Sequence, residues 1–312
     1  MKAVGVMEFG GPDSLQLVEL PDPKPGPGEV VVRVLAAAVN PTDTYIPTGA
    51  RAEMLRRDPP PYVPGMDAAG ILEEIGEGTD TDLRIGDRVM AIVVPRGSHG
   101  AYSERISLPA ESVVRAPAGT THAEASTLPM NGLTVRLALD LLGLPPGATL
   151  GVTGAAGAVG GYSIQLGKAD GLTVVADAKP ADEALVRGLG ADVVVARGDD
   201  VADRMRAAVP DGVDGLIDAA LLDQLVVPAV RDGGRIATVR GYTGPEERGV
   251  TFHPAWVRNY AREHDKLDQL RRQVEAGQIT LRVARTFPAA QAAAAHKVLA
   301  AGGTRGRLVL EF

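Results

Sequence analysis

Apolar and polar positions follow two different spacings along the middle of the chain. Short apolar runs predict buried strands at 150–153, 172–176, 192–196, 213–218 and 235–239. Between them, apolar residues at helical spacing predict helices at 159–166, 181–189, 199–208 and 221–231. Strands that alternate with helices of this length predict an α/β fold, a doubly wound parallel sheet with crossover helices on both faces.

The first part of the chain has a different pattern. Strand-like runs occupy residues 3–7, 15–20, 30–38, 70–75, 88–94 and 102–107. Proline and glycine separate these runs, most densely at 21–28, which we interpret as a stiff turn between strands. Many short strands with such punctuation are typical of an antiparallel, barrel-like domain.

The pattern changes again before and after the alternating region. Residues 121–142 have helical spacing. After Gly241 we expect a helix at 254–275, a strand at 281–287, a helix at 289–300 and a strand at 308–311. We therefore predict that a doubly wound domain, residues 120–250, is inserted into a barrel-type domain formed by residues 1–119 and 251–312. An edge strand of the parallel sheet is expected near 235–240.

A glycine-rich turn joins the first strand of the alternating region to its helix. The turn comprises Gly154, Ala155, Ala156, Gly157, Ala158, Val159 and Gly160. Small residues let a diphosphate approach the backbone, where N–H groups and the positive end of the helix dipole bind it. Because the spacing is G-x-x-G-x-x-G rather than G-x-G-x-x-G, a plain strand–helix connection is the alternative. Asp177 ends the next strand, where a dinucleotide-binding fold places its ribose-contacting residue.

Composition narrows the class of protein. With 312 residues, of which 45% are hydrophobic, the chain is long enough for two domains with full cores. The formal charge of −7 argues against a nucleic-acid or anionic-membrane partner. No signal peptide heads the sequence, and no apolar run approaches the ~20 residues of a membrane span. The absence of cysteine excludes disulfides and thiolate metal sites, so we expect a soluble cytoplasmic protein.

A series of short motifs extends over nearly the whole chain. The motifs lie at 38–45, 64–70, 86–89, 100–104, 128–134, 154–160, 189–191 and 306–310. In their order and spacing they resemble the medium-chain dehydrogenase/reductase superfamily, in its zinc-free quinone oxidoreductase (zeta-crystallin-like) branch. The resemblance implies a Rossmann cofactor domain inserted into a GroES-like catalytic domain, a homodimer, and reduction of a quinone or enone with NADPH.

The resemblance also bears on metal binding. Zinc-containing relatives carry a catalytic cysteine where Asn40 stands, and Gly-His-Glu in place of residues 65–67. The five histidines are scattered singly, so we expect no metal site. Without a Lewis acid to polarise an alcohol, reduction of an activated, conjugated carbonyl is the more natural chemistry.

The resemblance assigns residues to the active site. Asn40, Asp43 and Tyr45 are expected to line the cleft beside the nicotinamide, where Asn40 also contacts the cofactor. Asn40 and Tyr45 are expected to hydrogen-bond the substrate oxygen, with Asp43 holding their geometry; a structural turn is the alternative. Thr134 is expected near the nicotinamide ring, unless it only bonds its own helix backbone. The segment Arg240, Gly241 and Tyr242 is expected to pass the nicotinamide carboxamide.

The residues expected near the 2′ position of the cofactor ribose favour different cofactors. Asp177 would bond a free 2′-hydroxyl and favour NADH. Lys179 and Arg197 stand where relatives contact the 2′-phosphate, and two cations there would favour NADPH. Because the branch usually takes NADPH, we predict NADPH, with NADH as the alternative.

The substrate and the reaction stay open in two respects. The basic stretch 47–61, with Arg51, Arg56 and Arg57, is either a contact for an acidic or phosphorylated substrate or a solvated loop. A 2-enoyl-thioester reductase and a nucleotide-binding structural or regulatory protein without turnover are the alternative functions.

Overall fold

The structure is a computed structural model that describes residues 1–50 and 52–312. The described residues pack into two compact units. The terminal unit comprises Met1–Met130, Ala261–Ala276 and Thr280–Phe312, and the central unit comprises Asn131–Tyr260 and Gly277–Ile279. Both chain ends thus belong to one unit, into which the other is inserted, as predicted. Within the described residues, no helix is long and apolar enough to cross a membrane.

The central unit is built around a parallel sheet. Its strands are β8 (Thr149–Thr153), β9 (Thr173–Ala178), β10 (Val193–Ala196), β11 (Val213–Asp218), β12 (Val230–Thr238) and β13 (Thr251–Pro254). They lie in the order β10-β9-β8-β11-β12-β13, and every neighbouring pair is parallel. This is the order of a doubly wound dinucleotide-binding sheet, so the predicted fold class is confirmed.

Helices cover this sheet and complete its core. They are α5 (Ala158–Ala169), α6 (Glu183–Gly188) and α7 (Val201–Ala208), with most of α4 (Pro129–Leu142). Val175, Leu216 and Ile236 of the strands pack with Met205 of α7 in one buried cluster. Burial of such side chains stabilises each by roughly 1.5–3 kcal/mol, and it fixes the carboxyl ends of β8, β9 and β11 at one edge.

The helix predicted at 221–231 is wrong. A 3₁₀ segment, Asp223–Ala229, occupies the region, and β12 begins directly after it at Val230. Pro228 lies inside the segment and supplies no backbone N–H. Leu221 and Asp223 have positive φ angles of 61° and 56°, which a right-handed α-helix does not allow.

The sheet also ends later than predicted. β12 pairs with β11 on one side and with β13 on the other, so β13 is the strand that borders the sheet and 235–240 is not.

The structural boundaries fall after Met130 and Tyr260 rather than after residues 119 and 250. The second boundary lies later because Thr251–Pro254 extends the parallel sheet instead of returning to the other unit.

The terminal unit contains the remaining strands. They are β1 (Lys2–Val6), β2 (Leu15–Glu19), β3 (Glu29–Val39), β4 (Asp67–Ile75), β5 (Arg88–Ile92), β6 (Arg105–Pro109), β7 (Val113–Arg115), β14 (Val283–Pro288) and β15 (Arg307–Glu311). The main sheet has the order β14-β15-β3-β4-β5-β7, with β6 also paired to β3. Pairing is antiparallel except between β14 and β15, as expected for a barrel-type domain.

Short helices surround this sheet. They are α1 (Tyr45–Thr48), α2 (Ala52–Leu55), α3 (His122–Ala125), α8 (His264–Glu275) and α9 (Ala292–Ala301). Two predicted helices are interrupted. The region 121–142 divides into α3 and α4, because Pro129 lacks an N–H and starts a new helix. The region 254–275 is helical in the α form only from His264, where the buried stripe of Leu267 and Leu270 begins.

Candidate active site

The central unit presents the glycine turn at the carboxyl end of β8. Gly154 directly follows the strand with a φ of +66°, a conformation that side-chain-bearing residues rarely adopt. A Cβ at Gly154 would also lie 3.0 Å from the carbonyl carbon of Ala219. Ala155 and Ala156 are buried, and Gly157 leads into α5. Close backbone packing therefore explains the first glycine of the motif.

The first turn of α5, Ala158 to Gly160, faces the same edge. Gly157 is its N-cap and, being glycine, places no side chain over this helix end. The first N–H groups of a helix have no acceptor within the helix, and they carry its positive dipole end. A Cβ at Gly160 would lie 2.3 Å from the Gly154 oxygen, so glycine there keeps helix and turn in contact. The arrangement suits an anionic group.

Asp177 lies next to this turn rather than in the solvent. It is 1% exposed, and its Oδ1 accepts a hydrogen bond from the Ala155 N–H at 3.0 Å. Its Oδ2 is buried and has no hydrogen-bond partner in the part of the chain that the structure describes. Burial raises the pKa of this carboxyl, while the Ala155 hydrogen bond and the Arg197 charge oppose the rise. One acceptor oxygen is thus available to a hydroxyl donor.

Of the two predicted cations, Arg197 forms an ion pair with the Asp177 carboxylate. Arg197 is half-exposed, and its Nε is 3.8 Å from the Asp177 Oδ2. Lys179 directly follows β9 and is exposed. The structure thus brings Arg197 and Asp177 together and leaves Lys179 at the surface.

The other predicted cofactor residues of the central unit lie in two places. Thr134 is buried within α4. Arg240 is exposed beyond the end of β12, and the Thr238 hydroxyl donates to the Tyr242 carbonyl oxygen at 2.9 Å. Gly241 has a φ of +84°, and a Cβ there would lie 2.3 Å from the Trp256 ring. The strand end therefore carries a tight turn closed by the indole.

Two features of this edge of the central unit determine whether a nicotinamide dinucleotide fits it. The N-cap of α5 is a glycine beside a glycine turn, and the Asp177 Oδ2 is a buried acceptor that has the Arg197 Nε at 3.8 Å and no hydrogen-bond partner among residues 1–50 and 52–312. The first suits a diphosphate and the second a ribose hydroxyl. The residues of this edge fit the cofactor.

The terminal unit holds the second group of predicted residues. Asn40 follows β3 and precedes a 3₁₀ turn, Pro41–Thr44. Its backbone N–H donates to the Asp43 Oδ2 at 2.8 Å, and the Gly65 N–H donates to the Asp43 Oδ1 at 3.2 Å. Tyr45 begins the next helical turn, with its N–H bonded to the Asp43 carbonyl oxygen. Asp43 therefore stabilises the turn that carries Tyr45.

The Asn40 side chain lies inside the protein. It is 0% exposed, its Nδ2 donates to the Asp67 Oδ2 at 2.8 Å and to the Ala38 carbonyl oxygen at 3.3 Å, and its Oδ1 accepts from Arg307. This differs from the predicted contact between the Asn40 amide and a substrate oxygen. The physical reason is that buried partners already use both the donor and the acceptor side of the amide.

A buried cluster surrounds the Asn40 turn. The Tyr102 hydroxyl lies 3.4 Å from the Asp43 Oδ2 and 3.1 Å from the His296 Nε2. Burial raises the pKa of Asp43 to about 7 and that of Asp67 to about 6. Burial also lowers the pKa of His296 to about 4, which keeps the imidazole neutral. The cluster thus contains carboxyl groups that change their charge near neutral pH.

Sequence reasoning missed several members of this cluster, namely Asp67, Tyr102, His296 and Arg307. One signal was present: Asp67 and Arg307 both stand at the start of otherwise apolar runs, where an ionisable residue needs a buried partner. Among residues 1–50 and 52–312, no three His, Asp or Glu side chains form a group that could hold a metal ion. Of the basic loop 47–61, Arg51 lies outside the described residues, and the Arg56 guanidinium lies 5.8 Å from the Phe9 ring centroid.

Two family models match different parts of the chain. A family model described as the alcohol dehydrogenase GroES-like domain matches residues 26–118. A second model, described as zinc-binding dehydrogenase, matches residues 189–310. The two matches fall on opposite sides of the glycine turn.

Curated proteins and solved structures match over nearly the whole chain. The 2-haloacrylate reductase of Burkholderia sp is 30% identical, over 99% of this chain and 98% of that protein. The quinone oxidoreductase of Mus musculus is 28% identical, over 99% of this chain and 97% of that protein. The solved structure of a mycobacterial protein complexed with NADPH has a TM-score of 0.86 and 27% identity, and it covers 100% of both chains.

Proposed function

Because the chain belongs to the quinone oxidoreductase family of the medium-chain dehydrogenase/reductase oxidoreductases, we propose that it reduces a quinone or another α,β-unsaturated carbonyl with NADPH, without zinc. The observation that carries the proposal is the glycine turn: a tight Gly154, an α5 terminus with glycine as its N-cap, and a buried Asp177 oxygen at one strand edge. The NADPH complex of a relative of the same fold supports the choice of cofactor.

The central unit serves as the cofactor domain in this proposal. The N–H groups at the start of α5 bind the diphosphate, and Arg197 with Lys179 binds the 2′-phosphate. Thr134 and the segment from Arg240 to Tyr242 lie against the nicotinamide. If the Asp177 Oδ2, which accepts no hydrogen bond among the described residues, instead accepts one from a free 2′-hydroxyl, NADH is the preferred cofactor.

The terminal unit serves as the catalytic domain. Bound NADPH supplies a hydride to the conjugated substrate. Tyr45 donates a hydrogen bond to the substrate oxygen, where negative charge develops, and Asp43 holds the turn that presents it. Asn40 acts indirectly. Its buried amide is bonded to Asp67 and Arg307, so it supports the turn rather than contacting the substrate.

The proposal extends to location and assembly. We infer a cytoplasmic homodimer without nucleic-acid or membrane partners. The support is the net charge of −7 and the β13 edge, since an uncovered strand edge is normally paired.

Titration with NADPH and NADH, followed by assays with benzoquinone, an enone, 2-haloacrylate and an enoyl thioester, tests the function. We expect binding of NADPH and its oxidation with the quinone or the enone, unchanged after exhaustive chelation. Preference for the thioester would identify a 2-enoyl-thioester reductase. Binding without turnover of any substrate would identify a nucleotide-binding structural or regulatory protein, and a stoichiometric zinc needed for turnover would contradict the metal-free proposal.

A further inference from the structure

The last strand of the terminal unit places a buried cation beside the Asn40 turn. β15 runs antiparallel to β3 with Leu308 opposite Val39, so Arg307 comes level with Asn40. The Arg307 guanidinium donates a hydrogen bond to the Asn40 Oδ1, and only 5% of Arg307 is exposed. Burial of a charged side chain is costly unless the charge is paired. The cation therefore needs partners in this cluster.

These partners leave one orientation for the Asn40 amide. Its Oδ1 faces the Arg307 cation, and its Nδ2 faces the Asp67 carboxylate at 2.8 Å. A flipped amide would turn its NH₂ group toward the guanidinium and its oxygen toward the carboxylate, so both contacts would become repulsive. Arg307 and Asp67 together fix the side chain.

The same cation compensates two buried carboxyl groups. Asp43 and Asp67 are 2% and 0% exposed. Burial raises the pKa of both groups, and the Arg307 charge acts against that rise in each case. Removal of the cation would leave two buried acids with less compensation, which disfavours their charged forms further.

We propose that Arg307 is a positioning residue of the active site. It acts through Asn40 and holds the 40–44 turn, and with it Tyr45, in the conformation that meets the substrate. Asp67 is the second arm of this support. The kinetic consequence rests on the proposed function, whereas the conformational consequence does not.

Substitution of Arg307 tests the proposal by kinetics. Arg307→Met should lower kcat about 100-fold, because a displaced turn misaligns the substrate contact. The KM for NADPH should change by no more than about twofold, since the glycine turn, Asp177 and Arg197 belong to the central unit. Arg307→Lys keeps a cation and should restore most of kcat. Arg285→Met, which removes an exposed arginine from the adjacent β14, is the matched control and should behave as wild type.

Hydrogen exchange tests the same proposal without catalysis. Peptides that cover residues 38–46 should exchange about tenfold faster in Arg307→Met than in wild type or Arg285→Met, while peptides of the glycine turn should not change. A wild-type protein without reductase activity would refute the proposed function, and the exchange result would still decide the role of Arg307. A folded Arg307→Met variant with wild-type exchange at 38–46 would overturn the proposal.

A double variant separates positioning from stability. Asp67→Asn combined with Arg307→Met removes one of the uncompensated carboxylates, so its thermal midpoint should rise above that of Arg307→Met alone. Its kcat should stay low, because the double variant removes both charged partners of the Asn40 amide. If kcat recovers together with the thermal midpoint, Arg307 is only structural and the proposal is wrong. The double variant also carries the test if Arg307→Met alone fails to fold.

Discussion

The Asp177 carboxylate accepts a hydrogen bond from the Ala155 N–H at 3.0 Å, so the end of the second parallel strand is tied to the glycine turn. One oxygen of this buried acid supports the turn, and the other has no hydrogen-bond partner within residues 1–50 and 52–312. In the proposed function, Asp177 therefore links the shape of the diphosphate site to the choice between the two cofactors.

The glycine turn can be tested at Gly157. Its φ of −72° suits any residue, and a Cβ there would lie 3.1 Å from one backbone oxygen, so a side chain needs only a small adjustment of the turn. Gly157→Val should weaken NADPH binding at least about tenfold in calorimetry, because the side chain occupies the diphosphate space. Gly188→Val, at an open surface position of α6, should bind as wild type. A folded Gly157→Val protein with unchanged affinity would refute the diphosphate site.

Gly160 is a poorer test than the sequence suggests. A bulky residue at either Gly157 or Gly160 is expected from sequence to weaken binding without unfolding the protein. In the structure, a Cβ at Gly160 would lie 2.3 Å from the Gly154 oxygen and 2.7 Å from the Ala155 Cα. Backbone atoms cannot yield as a flexible side chain does, so a Gly160 variant would distort the turn itself.

Cofactor preference can be tested at Arg197. Arg197→Ala should raise the KM for NADPH about tenfold and leave the KM for NADH nearly unchanged, since one charge-assisted bond to the 2′-phosphate is lost. The NADPH preference of the wild type should shrink as salt rises, because Arg197 is 45% exposed and its charge is screened. Arg187→Ala, in an exposed ion pair of α6, is the control. Wild-type preference for NADH, or an equal effect on both cofactors, would show that Asp177 decides.

The raised pKa of Asp43 predicts that the stability of the protein depends on pH. Its pKa is about 7 in the folded protein, against an ordinary value of 3.8, and burial is the main cause. The folded protein therefore binds more protons between about pH 4 and pH 7, so the stabilisation from this group is lost as the pH rises through that window. Urea unfolding at about pH 5 and about pH 8 should show a larger loss in wild type than in Asp43→Asn. The exposed Glu111→Gln variant should follow wild type, and an identical loss in Asp43→Asn would contradict the prediction.

The proposed dimer can be tested at the β13 edge. The Thr251 hydroxyl and the His253 Nε2 lie 2.9 Å apart on this strand. Lysine at both positions places charge on the strand edge and should convert a dimer into a monomer at micromolar concentration in sedimentation. Ile85→Lys, an exposed position of the terminal unit, should not change the assembly. A wild-type monomer would refute the dimer.

The sequence predicts the central sheet well and the buried cluster poorly. Local periodicity identified β9 within about two residues, because hydrophobic alternation is a local property. The 3₁₀ segment Asp223–Ala229 escaped prediction, since the apolar spacing at 221–231 does not reveal the positive φ angles of Leu221 and Asp223. The Asn40–Arg307 bond escaped for a stronger reason: its partners are 267 residues apart and meet only through the register of β3 and β15.

Transfer of deuterium from labelled NADPH tests the central claim most directly. Wild-type protein is given an enone and NADPH that carries deuterium at C4 of the nicotinamide, on each face in turn, and the product is examined by NMR. We predict that one of the two labels appears on the reduced carbon of the product. Oxidation of NADPH with no label on that carbon from either cofactor, or no oxidation at all, would contradict hydride transfer as the function of this protein.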